Sequence, residues 1–195
     1  MYEFIPCAAG CGRNVLSGTK TCALHSAAPT AEADRMVSEI FKGVVTKDLC
    51  AENLRFQGID FSHHRFFGCT FSHSVFSMCV FTESFFRVSF FEFAEFIDCD
   101  FSKSDIQFSS FAGASFADCT FEGSELVHVN FNGSTISDCT FNNSNLYNSR
   151  FISSRIESSD LIDCNVKKAF FIKTRQERVS FKSSNTAEAI FELEE

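Results

Sequence analysis

From Phe56 to Phe171 every fifth residue is large and apolar, without a miss across 24 consecutive positions. Phe fills 17 of them, and the other seven are Ile106, Leu126, Ile136, Leu146, Ile156, Leu161 and Val166. A period of five fits neither the helical turn of about 3.6 residues nor the two-residue alternation of a strand. It describes a coil whose faces recur every five residues and whose interior is one continuous stack. The composition follows from this, since 27 Phe beside two Tyr and no Trp is what filling one kind of slot repeatedly produces.

A second register runs two residues ahead of the first. From Cys69 to Ala169 that slot holds only Ser, Cys, Ala or Val. A small inward residue beside a large one is what a narrow coil needs, because a second bulky group at the same level would overfill it. The other three residues of each five are mostly polar and are expected to face water.

Segments such as Cys99-Asp100-Phe101, Ser104-Asp105-Ile106 and Cys119-Thr120-Phe121 place a small residue, a polar one and a large apolar one in succession. Over roughly 120 residues the chain thereby resembles the pentapeptide-repeat family. The resemblance implies an all-β fold: a right-handed, four-sided parallel β-helix with four pentapeptides to each 20-residue turn. The residues support that turn length independently, since Cys79, Cys99, Cys119 and Cys139 recur every 20 residues and so do Asp98, Asp118 and Asp138. Residues 44–173 would make about six turns. No Pro and no insertion interrupts them, so the coil offers no long loop on which to mount an active site.

The ends of such a coil need covers. Residues 30–43 are expected to form a capping helix, with Thr30 as N-cap, Gly43 as stop, and Met36, Val37, Ile40 and Phe41 on one face. Leu49, Leu54 and Ile59 occupy the slot that later becomes small, which predicts a wider first turn against that helix. Beyond residue 173 the register stumbles at Gln176, then returns at Val179 with Phe181 and at Ala189 with Phe191. Residues 174–195 therefore read either as a last partial turn or as a tail that becomes a short helix from Thr186. In family members that dimerise the resemblance places the contact at the C-terminal end, so a homodimer through that end is a candidate.

The strongest chemical motif precedes the repeat. Cys7 and Cys11 are followed, after ten intervening residues, by Cys22 and His25, two close pairs of soft or borderline ligands separated by a loop. That supplies a tetrahedral site from a short segment. Residues 1–29 cannot build an apolar core alone, so one structural Zn2+ per chain would staple them, against free thiols or another metal as the alternatives. The segment is similar to zinc-knuckle or zinc-ribbon modules, although its first pair has three intervening residues instead of the commoner two. With four protein ligands such a site would be closed and not catalytic.

Other constellations carry less. The Cys column reads as small-residue packing, because stacked side chains point the same way and do not face one another across a disulfide. His63 and His73 stand half a turn apart and cannot share a metal, whereas His63 and Glu83 are one turn apart and could pair at the surface. His64 occupies a small-residue slot and reads as a packed or solvated residue. No nucleophile, base and orienting group come together, so the chain is not expected to be an enzyme.

The net charge is −8. Between Phe91 and Phe141 nine acidic residues face Lys103 alone, and Asp98, Asp118 and Asp138 stack in one column, the candidate interaction surface. Some members of the family bind type II topoisomerases through acidic, DNA-mimicking surfaces. B-DNA, however, carries a charge about every 1.7 Å, far denser than this column, and Lys167, Lys168, Arg175 and Arg178 turn the far end basic. A protein–protein interaction or scaffold role is therefore expected first, with a gyrase-binding DNA mimic as the alternative and the protein partner itself unidentified. Direct nucleic-acid binding is not expected, because residues 1–30 contain only Arg13 and Lys20 as cations. No membrane span or basic, apolar leader is evident, and ten Cys, reduced or metal-bound, fit the cytoplasm.

Overall fold

The computed structural model describes residues 4–192, so the first and last three residues of the terminal segments lie outside the described residues. The five-residue period becomes a four-sided parallel solenoid in which each residue pairs with the one 20 positions on. One face carries β1 (Val45–Lys47), β3 (Arg65–Phe67), β5 (Phe85–Arg87) and β7 (Asp105–Gln107), hydrogen-bonded in that order. The opposite face carries β2 (Arg55–Gln57), β4 (Val75–Ser77), β6 (Glu95–Ile97), β8 (Ser115–Ala117), β9 (Thr135–Ser137), β10 (Arg155–Glu157) and β11 (Arg175–Glu177). The two remaining faces are ladders of single bridges such as Thr70↔Phe90↔Ser110 and Asp60↔Val80↔Asp100.

The register explains why the interior is so uniformly Phe. Rings on one face stack almost flat, with Phe56–Phe76, Phe76–Phe96 and Phe96–Phe116 centroids 4.9, 5.0 and 5.0 Å apart. That spacing is close to the ladder repeat of about 4.8 Å, so a flat ring fills one level and no more. Rings from adjacent faces meet edge-on, as Phe96 and Phe101 do at 5.4 Å and 71°. The small slot is buried beside them, and several of its hydroxyls meet backbone: Ser124, Ser144 and Ser154 donate to Phe101, Phe121 and Phe131 carbonyls at 2.6–2.7 Å.

Each corner is made by one residue at positive φ, two positions after the large one. This left-handed conformation is costly for most L residues and is best tolerated by Gly, Asn and Asp. Asp98, Asp118 and Asp138 sit there at φ of 54°, 55° and 54°. The acidic column thus has a backbone reason to consist of Asp.

The N-terminal cover is α1 (Pro29–Ile40), which starts earlier than the sequence suggests. Its N-cap is Ala28 rather than Thr30, because Pro29 takes the first helical position, where its fixed φ suits the turn and its missing N–H costs nothing. The Ser26 hydroxyl accepts the Ala28 N–H at 3.3 Å instead of a side-chain cap. Ala33, Met36 and Ile40 are buried against Leu49 and Leu54 in the solenoid core, and Val37 and Ile59 pack beside them. Phe41 stays half exposed yet stacks on Phe61 at 5.8 Å.

The coil also runs further than six turns. Bridges extend from Val45 to Phe170↔Ile190, about seven turns in all. Gln176 stands where Phe stands elsewhere, yet its backbone still pairs with Ile156 in the last strand, where its side chain is exposed. Thr186–Glu188 is one 3-10 turn, after which Phe191 stacks on Phe171 at 5.2 Å. The stumble is a local defect inside a continuing coil.

Candidate metal centre and the surfaces of the rod

Four side chains from two short turns converge at the N-terminus. Cys7 and Cys11 bracket a tight loop closed by the Pro6↔Asn14 bridge, with Cys7 N–H donating to Arg13 O at 2.8 Å. The reversal needs Gly10 and Gly12, at φ of 72° and 74°. Cys22 is the N-cap of a 3-10 turn, Ala23–His25, which swings His25 back toward it.

The donor atoms of Cys7, Cys11, Cys22 and His25 all lie within 4.8 Å of one another. Cys11 Sγ is 3.7 Å from Cys22 Sγ, and His25 Nδ1 is 3.7 Å from Cys7 Sγ and 3.5 Å from Cys22 Sγ. A tetrahedron with metal–sulfur bonds of about 2.3 Å and metal–nitrogen bonds of about 2.0 Å has S–S edges of roughly 3.8 Å and S–N edges of roughly 3.6 Å. The three measured edges match that geometry, and the group could hold a metal ion. Cys22 N–H donates to Cys7 Sγ at 3.3 Å. A backbone hydrogen bond from Arg13 holds the Cys11 thiol down to about 6, while burial pushes Cys22 up.

The sequence does not reveal how this segment joins the rod. Leu16 and Ala23 belong to the same buried cluster as α1 and the first turn. Ser17 N–H donates to Cys50 O at 2.9 Å, Cys50 N–H to Ser17 Oγ at 2.8 Å, and Arg35 Nη2 to Ser17 O at 2.7 Å. The Cys/His segment and α1 together close the end of the coil. The apolar Leu16 between two Cys pairs is the signal that could have shown it.

Along the rod the remaining candidates separate. Asp98, Asp118 and Asp138 are exposed at one corner, continued toward the N-terminus by Met78 and toward the C-terminus by Ser158 and Arg178. His63 Nδ1 and Glu83 Oε2 pair at 3.4 Å on the surface, while His73 stacks instead on Phe93 at 5.2 Å. His64 is buried, lies 2.8 Å from Thr46 Oγ1 through Nε2, and has its basicity lowered by that burial. Cys79, Cys99 and Cys119 point their thiols at the carbonyls of Phe56, Phe76 and Phe96 at 3.5–3.6 Å. The next thiol in the column, together with burial, pushes both Cys99 and Cys119 up to about 12, which is the character of packed and unreactive groups.

The repeat geometry now meets its counterparts. Residues 114–191 match the model of a pentapeptide repeat region, and residues 94–133 match that of pentapeptide repeats in eight copies. This chain belongs to the pentapeptide-repeat family. Pentapeptide-repeat proteins are non-enzymatic, and membership carries that character to this chain. Among solved structures it is similar to a trypsin-treated form of QnrB1, a plasmid-mediated fluoroquinolone resistance protein, with 22% identity over 73% of this chain and 70% of that one and a TM-score of 0.55. That likeness is one of fold. HetL, a pentapeptide repeat protein involved in heterocyst differentiation regulation from the cyanobacterium Nostoc sp. strain PCC 7120, is 9% identical over 83% of this chain and 96% of its own, with a TM-score of 0.31. A pentapeptide repeat protein from the Arabidopsis thaliana thylakoid lumen is 20% identical over 62% and 67% respectively, with a TM-score of 0.32. No curated protein matches the chain. Among the described residues no helix is long and apolar enough to cross a membrane.

Proposed function

We propose that this pentapeptide-repeat chain is a protein–protein interaction or scaffold rod whose N-terminal end is closed by a structural zinc module that serves as a second docking point. The observation that carries the reading is the filled interior: stacked Phe, Ile and Leu occupy every level from Phe56 to Phe171, so recognition falls to the flat outer faces and the ends. Zinc is the metal that suits the Cys7, Cys11, Cys22 and His25 donor set, and with all four positions taken by protein it would act as a staple. Ten Cys outside any disulfide, three of them in the proposed zinc site, fit a reducing compartment such as the cytoplasm. The open C-terminal turn with half-buried Phe181 and Phe191 is where a homodimer contact would form.

Affinity capture from the native host tests the reading, with the wild-type chain beside a Cys22→Ser variant. Proteins retained by wild type and lost with the variant identify the module as a docking point, and proteins retained by both lie on the rod faces. Capture of nothing beyond a blank matrix contradicts the interaction role.

A second reading is a DNA mimic that binds gyrase. It rests on the exposed corner of Asp98, Asp118 and Asp138, beside which Asp160 lines a shallow hollow with Asp118 and Asp138. Three carboxylates flanked by Met78 and Arg178 make a short charge track, and the corner backbone already accounts for Asp there. A supercoiling assay with purified gyrase decides it, inhibition at micromolar protein supporting the mimic and no effect removing it.

A further inference from the structure

The outer face of β1, β3, β5 and β7 carries a ladder of cations and rings unlike the rest of this acidic chain. Arg87 lies over the Phe85 ring at 3.7 Å, Arg65 lies over Phe85 at 4.7 Å and over Phe67 at 5.8 Å, and Lys47 lies over Phe67 at 5.9 Å. The two rings stand 5.3 Å apart, and Val45 at the start of the ladder is 44% exposed.

The three cations differ in one respect. Arg87 has its carboxylate within the chain: Nη2 donates to Asp105 Oδ2 at 2.7 Å, and Gln107 Nε2 takes the other Asp105 oxygen at 2.9 Å. Arg65 and Lys47 are exposed and also lie over the rings, and among the described residues neither pairs with a carboxylate. A guanidinium held flat on a ring keeps its N–H edges free and already oriented, which lowers the ordering cost of meeting a planar carboxylate.

We propose that this face docks an acidic polypeptide segment, with partner carboxylates doing for Arg65 and Lys47 what Asp105 does for Arg87 and an apolar partner side chain covering Val45 and Phe67. Arg beside half-buried aromatic surface, as Phe67 and Phe85 are here, is the composition of an interface centre. Three cations on a chain of net charge −8 are too few to track a phosphate backbone, so the occupant is protein and not nucleic acid. The inference rests on the interaction reading above and names the class of partner for one face of the rod.

The full chain is titrated into a fluorescein-labelled peptide rich in Glu and Leu, followed by anisotropy, beside the same peptide with Gln for Glu. The Glu peptide is expected to bind more tightly than the Gln peptide. Lys47→Glu with Arg65→Glu is expected to weaken binding about tenfold, and raising salt to weaken wild type alike. Arg65→Gln provides a milder second variant with an intermediate loss, and Lys103→Glu on the acidic side leaves binding unchanged. Melting midpoints of all variants report whether the coil is intact. Equal binding by wild type and the double variant overturns the proposal. So does equally tight binding of a labelled oligodeoxynucleotide, or a wild-type dimer in sedimentation that the double variant loses, which would make a second copy the occupant. Any of these with host capture intact leaves the interaction role standing on other faces.

Discussion

The Phe93 ring lies over Gly113, one turn along the same corner, with ring carbons 2.6 Å from where a Cβ at residue 113 would stand. Gly113 is also at φ +68°, so it is required twice, once by its backbone and once by its neighbour. Gly133, next in the column, is at φ +67° with nothing within 4 Å of the same point.

Substitution separates the two requirements. Gly133→Ala should cost about 1 kcal/mol, the left-handed strain alone, whereas Gly113→Ala should cost about 2–3 kcal/mol because the Phe93 ring must also move. Urea denaturation of the two variants checks the order. Val88, a β-branched residue at φ 52° and 51% exposed, gives the converse case. Val88→Asn should raise stability by about 0.5–1 kcal/mol.

The Phe stack should behave as one body. Phe96→Ala removes a ring that is stacked 5.0 Å from both Phe76 and Phe116, and should cost about 3–5 kcal/mol in urea denaturation. Phe96→Leu should cost less, since Ile136 and Ile156 already fill the same slot two and three turns on.

His64 gives the coil a pH dependence. Burial lowers its folded pKa below the ordinary 6.5, so the unfolded chain binds the proton more readily. The stability that neutral His64 contributes is full above 6.5 and is lost as the pH falls below it toward the lowered folded value. His64→Gln should flatten the fall in melting temperature between about pH 7 and pH 5 relative to wild type, with the metal ligands identical in both chains. An equal fall in the two contradicts it.

The first three thiols of the cysteine column should be chemically silent. Native labelling with a thiol reagent, read by peptide mass spectrometry, should leave Cys79, Cys99 and Cys119 unmodified, and denaturant should expose all ten Cys. Rapid native modification of Cys99 would contradict its packed state.

Much of this was legible because the repeat is strict. The inward slots and the Cys/His quartet could be read from spacing, and the 20-residue turn came from the family resemblance with the Cys and Asp spacings in support, since in a solenoid sequence distance converts directly into stacking. The corners were less visible, because a positive φ leaves only a statistical trace, and here Val88, Phe93 and Phe108 stand among the Asp, Asn and Gly that favour it. The joint between Ser17 and Cys50 was invisible, because a contact 33 residues apart outside the repeat has no period to announce it. The ladder of Lys47, Arg65 and Arg87 over Phe67 and Phe85 was missed for another reason. Its members are scattered in sequence and meet only when the turns stack.

The metal content of chain purified without added metal or chelator tests the N-terminal end most directly. One zinc per chain is expected, lost on Cys22→Ser together with a lower melting temperature, because Leu16 and Ala23 tie the module to the first turn of the coil. Native protein that carries no metal, and melts identically with and without a chelator, would contradict the zinc-closed cap.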